Sequence, residues 1–340
     1  MLIPAICLLV LPLPVPVAGG AAAGDTTYRT EDVRYRSGEL ILAAELILPA
    51  GAEAMLPGAV MIQGSGESDR RNEWARAIAL ELVAEGIAVL LTDKRGSGAS
   101  AGDWRRAGFD ELSDDAIAGV EYLRRRPELD PDRVGLVGLS QGGWVAPVAA
   151  ARASDRISYV INVSGAAVSF AEQSFHEMRN TAEQAGLAPD QVEEVLALNR
   201  AAAEYLAGGG WDEYDRSRRS ALLSDWAPIA EGFPGSAELP IWEFLLKVAD
   251  FSPIPYWIAL RQPVLVLYGE DDEEDNVPVA ESVRRLEHAF SNAGKRNHRI
   301  AVIAGAGHAF LDPGTGELVS DFLDTLSAWV EANVTVPQPR

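Results

Sequence analysis

Arg133-Val-Gly-Leu-Val-Gly-Leu-Ser140-Gln-Gly-Gly-Trp-Val-Ala146 reads as a short apolar strand, a sharp Gly-x-Ser-x-Gly turn and the start of a helix. That order lifts one hydroxyl out at the carboxyl end of a strand. Small residues at Gly138 and Gly142 let the strand and the helix approach closely, at the expense of a strained serine backbone. A base can then reach Ser140, and the next backbone N–H can hold an oxyanion. The stretch is a nucleophile elbow and points to acyl transfer, most simply ester or amide hydrolysis.

The five-residue pattern alone does not decide this, because Gly98-Ala-Ser100-Ala-Gly102 matches it equally well. Context separates the two. Ser100 lies in a run of turn residues, Gly96 to Asp103, with no strand directly before it and no apolar helix directly after. It reads as a loop residue, whereas Ser140 meets the strand–turn–helix condition that the motif requires.

Outward from the elbow, apolar runs alternate with helical spacing. Residues 33–37 and 40–48 predict a hairpin turning at Ser37-Gly38. Strands follow at 59–63, 87–92, 133–139, 157–163, 263–268 and 299–303. Helices are predicted at 72–85, 111–126, 142–152, 279–292 and 318–334. Continuous apolar strands between amphipathic helices imply an α/β fold, with a mostly parallel sheet covered by helices on both faces. After Ser164-Gly165 this rhythm fails for about ninety residues. The interval is helical in character and rich in Trp, Tyr and Phe, and it predicts a helical cap over the carboxyl edge of the sheet, where ligands bind in open α/β sheets. Most of its aromatics are expected to form the cap's own core. The expected division is a first core part at 25–166, a cap insertion at 167–258 and a second core part at 259–340.

A serine nucleophile needs a base, and the base an orienting acid. Of the four histidines, His308 sits in a glycine-rich loop, Ile303-Ala-Gly-Ala-Gly307-His308, directly after the last strand and on the same sheet edge as Ser140. His176, His288 and His298 are assigned surface roles. The acid should follow the strand Val264-Leu-Val-Leu-Tyr-Gly269, where Glu270-Asp-Asp-Glu-Glu-Asp275 offers several candidates. Spacing favours Asp272 over Asp271 and Asp275, and the chain order Ser…Asp…His suits this architecture. A calcium loop fits less well, since the EF-hand glycine is missing and the spacing is wrong. For the oxyanion, the N–H of Gln141 is one expected donor. The loop after strand 59–63 should supply the other, from Ser65 first and Gly64 next. No metal or cofactor is needed for this chemistry.

The chain has 340 residues, 48% hydrophobic, with a formal net charge of −21. Its length suffices for a large buried core. The acidic surface argues against nucleic acid and anionic membranes as partners. Residues 2–18 are apolar and uncharged, and Ala21-Ala-Ala23 offers a cleavage site. Residues 1–24 therefore predict a secretory signal peptide and a periplasmic or secreted protein, although no Lys or Arg marks an n-region and four prolines interrupt the run. A stable membrane anchor is not expected from a run this short and proline-rich. Cys7, the single cysteine, lies in that segment, so disulfide and thiol chemistry are not expected of the mature protein.

Taken together, Gln63-Gly-Ser-Gly-Glu-Ser-Asp69-Arg70, Asp93-Lys-Arg95-Gly-Ser-Gly98, Gly138-Leu-Ser140-Gln-Gly142-Gly143, Gly269-Glu-Asp-Asp272 and Gly305-Ala-Gly-His308 resemble the α/β-hydrolase superfamily. The likeness is to bacterial serine esterases related to dienelactone hydrolases and prolyl-oligopeptidase-like hydrolases, and it spans residue 58 to the C-terminus apart from the cap. It implies an α/β-hydrolase fold, a Ser140–His308–Asp272 triad, and a role for Asp93 and Arg95 in organising a loop over the sheet. Three departures stand out: Gln63 where relatives carry histidine, a longer spacer between Asp272 and Val277-Pro278, and an elbow unlike that of proline iminopeptidases. The resemblance implies a small ester as substrate. Amide or peptide hydrolysis with the same residues, and a non-catalytic binding protein of this fold, remain the alternatives.

Overall fold

The computed structural model describes residues 27–51 and 54–335, so the expected signal segment and Cys7 lie outside the described residues. Strands β1 (Tyr28–Ser37) and β2 (Leu40–Pro49) form the antiparallel hairpin. Along β1 the last residues alternate exposed and buried, as befits an edge strand with one face on the core. Then follow β3 (Leu56–Ile62), helix α1 (Glu73–Ala84), β4 (Ala88–Thr92), α2 (Phe109–Arg124), β5 (Leu129–Leu139), α3 (Gly142–Arg152) and β6 (Val160–Val163). After a helical interval come β7 (Val264–Gly269), a helix at Val279–Asn292, β8 (His298–Ile303) and a helix at Ser320–Val330.

The eight strands lie in the order β1-β2-β4-β3-β5-β6-β7-β8. Strand β2 pairs antiparallel with β4, and β4, β3, β5, β6, β7 and β8 are mutually parallel. Strands β4, β6 and β7 are buried at every position, which is why they read as unbroken apolar runs. Side chains alternate between two cores. Val60, Leu90, Leu136, Val160 and Val266 join α2 and α3 on one face, while Met61, Leu91, Val137, Ile161 and Leu267 pack against Ile78, Leu82, Phe322 and Trp329 on the other.

Element boundaries depart from expectation where long-range pairing overrides local signals. Strand β5 begins at Leu129, through Asp130-Pro131, where the sequence reads as a turn. The register of β3 against β5 shifts between Leu56 and Gly58, and that irregularity accommodates the proline. The last helix starts at Ser320 rather than 318, because Leu318 forms a bridge with Leu311.

Six helices fill the interval between β6 and β7, where a cap is expected: α4 (Phe170–Gln184), α5 (Pro189–Leu206), α6 (Trp211–Ala221), α7 (Ala227–Glu231), α8 (Ile241–Val248) and α9 (Ile254–Ala259). The helices at Val279–Asn292 and Ser320–Val330 are accordingly α10 and α11. Tyr205, Trp211, Tyr214 and Trp242 pack ring against ring and form a core internal to the helical segment. A second ring cluster, Phe170, Phe244 and Phe251 with Phe109 and Trp144, joins the segment to α2 and α3. Trp144 stands four residues after Ser140, so this second cluster adjoins the elbow. No helix among the described residues is long and apolar enough to cross a membrane.

Candidate active site

Ser140 follows the last residue of β5 with φ at +49°, a left-handed conformation that costs a non-glycine residue free energy. Neighbouring backbone holds it there. Its N–H donates to Val163 O (2.8 Å), and its carbonyl accepts from Gly143 N (2.8 Å). The helix start tolerates no side chain at Gly142, where a Cβ would lie 2.3 Å from the carbonyl oxygen of Ile62. The motif's glycine is thus required by the close approach of α3 to β3. Ser140 remains partly exposed.

His308 reaches the same edge from the loop after β8. Ser164, which follows β6 with φ at +55°, donates its hydroxyl to His308 O (2.7 Å) and tethers that loop. A Cβ on Gly269 would meet Ala306 O at 2.2 Å, so the glycine ending β7 admits the histidine loop beside it. The imidazole Nδ1 lies 2.8 Å from Oδ2 of Asp272, a carboxylate with no solvent exposure. The other oxygen, Oδ1, accepts from Asn276 N (3.2 Å). Burial by itself would lower the pKa of His308. Asp272 against the ring, joined by Asp275 and Glu177, outweighs this and holds it above the ordinary histidine value. No hydrogen bond joins Ser140 Oγ to His308 in this structure; such bonds are often long before substrate is bound.

The alternatives weighed on sequence fall elsewhere. Asp271 is exposed, and Asp275 is half-buried and accepts from Asn276 Nδ2 (2.9 Å). Ser100 accepts from Ala43 N (2.8 Å) and donates to Asp93 O (2.8 Å), and so stitches a loop to β2. His176 contacts Asn180 within α4, His288 contacts Asn292 on the surface of α10, and His298 begins β8 at the opposite edge of the sheet.

The expected oxyanion residues gather at Ser140. Gln141 is the N-cap of α3, where backbone N–H groups lack intrahelical acceptors. Gly64 packs directly on Ser140, since a Cβ there would lie 3.5 Å from that of the serine. Ser65 follows it and is half-buried. Gln63 donates to Thr92 O (2.9 Å) and accepts from Ser68 Oγ (3.0 Å). Its work is to anchor this loop. Asp93 accepts from Arg70 and from Ala99 N, and Arg95 pairs with Asp115 at 2.6 Å, so both organise the neighbouring loop.

Three site neighbours escape sequence reasoning. Ser164 tethers the histidine loop. Lys94 lies buried between Gly64 and Gln141, hydrogen-bonded to both. Glu177, on α4, is close enough to act on His308 when ionised, and burial, which favours the neutral form, pushes its carboxyl up to about 8. The only sequence signal for Glu177 is its place on an amphipathic helix. The indole of Trp74 completes the surroundings, 5.6 Å from the His308 ring.

Residues 38–225, more than half of the chain, match the family described as X-Pro dipeptidyl-peptidase (S15 family). The chain is 28% identical to the quorum-quenching protein AidA of Acinetobacter baumannii, over 87% of this chain and 93% of that one. It is 26% identical to the acylamino-acid-releasing enzyme of Rattus norvegicus, over 71% of this chain and 28% of that longer protein. An esterase of Pyrococcus furiosus superposes with a TM-score of 0.61 at 17% identity, covering 94% of this chain and 96% of the esterase. The dienelactone hydrolase of Anabaena variabilis superposes with a TM-score of 0.51 at 18% identity, covering 91% and 99%. The strand order, the helices on both faces and these superpositions agree on the fold, and the family match adds the lineage. This chain is a hydrolase of the α/β-hydrolase type and belongs to the X-Pro dipeptidyl-peptidase (S15) family.

Proposed function

We propose that this protein is a serine hydrolase that cleaves carboxylic esters of modest, partly apolar acids, with Ser140 as nucleophile, His308 as base and Asp272 as orienting acid. The observation that carries the reading is the strained Ser140 at the end of β5, on the sheet edge that also bears the hydrogen-bonded His308–Asp272 pair. Ser140 Oγ attacks the ester carbonyl as its proton passes to His308 Nε2. The carbonyl π pair moves onto oxygen, which the N–H groups of Gln141 and Ser65 receive. Collapse of this intermediate expels the alcohol, which takes the proton back from His308. Water, deprotonated by His308, then attacks the acyl carbon, the bond to Ser140 Oγ breaks as that oxygen takes the proton back from His308, and the acid leaves. Asp272 keeps the imidazole proton on Nδ1 and stabilises the imidazolium formed in each half-reaction. The aromatic cluster around Trp144 and Phe170 suits an apolar acyl group, with the 167–258 segment as its cap.

Two observations favour a second reading, cleavage of peptide bonds near an amino terminus. The family is described by a dipeptidyl-peptidase. Glu177 also places beside His308 a carboxyl that a protonated amine would ionise. A fluorophosphonate probe with peptide mapping tests the shared chemistry: stoichiometric label on Ser140 is expected, and label on Ser100, or none on folded protein, overturns it. Parallel assays on p-nitrophenyl acyl esters and Xaa-Pro p-nitroanilides then decide between the readings, with faster ester turnover expected.

The pH dependence follows from the histidine. His308 must be neutral to accept a proton, so the acid limb of kcat/KM should rise with pH, with its midpoint above about 6.5. Glu177→Gln should move that midpoint little, because burial keeps the Glu177 carboxyl largely protonated where His308 titrates. A clear fall of the midpoint in the variant means that Glu177 is ionised beside the imidazole.

A further inference from the structure

Lys94 is a buried charge that the triad leaves unused. It follows Asp93 in the loop after β4 and is 7% exposed. Its Nζ donates to the carbonyl of Gly64 (2.8 Å) and to Oε1 of Gln141 (2.6 Å), and it stands 5.2 Å from the ring centre of Trp104. The hydrogen-bond partners are thus a main-chain carbonyl and a side-chain amide rather than a carboxylate. Burying an ammonium in that company is costly, and burial lowers its pKa to about 7. Two acceptors alone would be satisfied as well by a neutral donor.

What distinguishes these acceptors is where they lie. Gly64 and Gln141 belong to the two loops that flank Ser140, and each is joined to one of the N–H groups that receive the oxyanion in the reading above. The Gly64–Ser65 peptide is trans, so its C=O and N–H point in opposite directions. Holding the Gly64 oxygen on Lys94 therefore fixes the direction of the Ser65 N–H. A cation on the carbonyl also draws electron density through the amide and makes that N–H a stronger donor. On the other side, the Gln141 side chain ties the N-cap of α3 to the same ammonium.

We propose that Lys94 is the positioning residue of the oxyanion hole: its ammonium clamps the Gly64 carbonyl and the Gln141 side chain, sets both N–H donors in register, and polarises the Gly64–Ser65 peptide toward the negative oxygen of the tetrahedral intermediate. This assignment rests on the serine-hydrolase reading. Lys94 touches no reacting atom. Its contribution is realised only when charge develops on the carbonyl oxygen, so it belongs to kcat and not to ground-state binding.

The test compares wild type with Lys94→Met, Lys94→Arg and Lys94→Gln on a p-nitrophenyl ester, together with inhibition by a trifluoromethyl ketone, which forms a tetrahedral oxyanion on the serine. In Lys94→Met, kcat should fall about 100-fold while KM stays within about threefold, and the inhibition constant should rise in parallel with the loss of kcat. Lys94→Arg should recover part of both. A folded Lys94→Met enzyme with kcat within about threefold of wild type overturns the assignment, as does a rise in KM at unchanged kcat, or a loss of kcat with undiminished inhibitor affinity. If Lys94→Met does not fold by circular dichroism, Lys94→Gln is judged by the same criteria. A wild-type protein that neither takes a fluorophosphonate label nor hydrolyses any ester overturns the hydrolytic reading itself. An active wild type with unaffected variants overturns only the part given to Lys94.

Discussion

Ser140→Ala should reduce kcat for ester hydrolysis by about 10⁶-fold and abolish fluorophosphonate labelling, with thermal unfolding close to wild type. The size follows from removing the atom that forms the acyl-enzyme: without it His308 and Asp272 have nothing to activate, and only the oxyanion donors and substrate binding remain. The fold should survive, because the bonds that hold residue 140 are made by its backbone, to Val163 O and from Gly143 N, and alanine keeps both. Alanine also keeps a Cβ at φ +49°, so the strain of the turn is the same in both proteins. Stopped assays over several hours, with the variant expressed in a host lacking its own esterases, would measure the residual rate. A loss of less than about 100-fold would mean that another group carries out the attack.

Asp272→Asn should lower kcat by about 10⁴-fold with the protein folded, through the tautomer it imposes. Asn276 N donates to Oδ1 of residue 272, so an asparagine there must keep its carbonyl oxygen on that side. Its NH₂ then occupies the place of Oδ2, 2.8 Å from His308 Nδ1, and donates where the carboxylate accepted. The imidazole proton is driven to Nε2, which faces the nucleophile and can no longer take its proton. Because His308 also loses the negative charge that raises its pKa, the midpoint of the remaining pH–rate profile should fall. Nitrogen-15 chemical shifts of the His308 ring would report the tautomer directly. An Nδ1-protonated ring in the variant would sink this account even if activity were lost.

The legible part of the chain is the part governed by local rules. Parallel strands buried on both faces must be apolar throughout, so β4, β6 and β7 could be placed from composition alone, and the glycine spacing around Ser140 marked the tight turn. The histidine loop and the acid loop could be assigned to one sheet edge because every parallel strand ends there. The adjacency of Asp272 to His308 followed from spacing, but the exposure of Asp271 and the half-burial of Asp275 depend on a short 3-10 turn at Asp271–Glu274 that periodicity does not predict. Lys94 was illegible for a deeper reason. It is the middle of three consecutive charged residues, and Asp93 and Arg95 find Arg70 and Asp115 as partners, whereas Lys94 turns toward Gly64 and Gln141. Which of three adjacent charges enters the interior is decided by contacts with residues about thirty and fifty positions away, and nothing local distinguishes them. Glu177 was hidden in the same way, by the packing of α4 against a loop nearly a hundred residues later.

That packing ties the helical segment to the loop that carries Asp272. At one end, Asn180 Nδ2 donates to the carbonyls of Glu273 (3.1 Å) and Asp275 (3.0 Å), and Gln184 donates to that of Glu274, so α4 grips the main chain directly after Asp272. At the other end, α8 is held to the core by its buried Phe244 against Phe109, with the surface pairs Arg106–Glu243 and Lys247–Glu111 at the rim. A protein engineer who exchanged the whole helical segment would therefore also remove the side chains that hold the turn carrying Asp272. Transplanting only the stretch from α6 to α8, and leaving α4 in place, would change the rest of the segment while the charge behind the histidine stayed where it is.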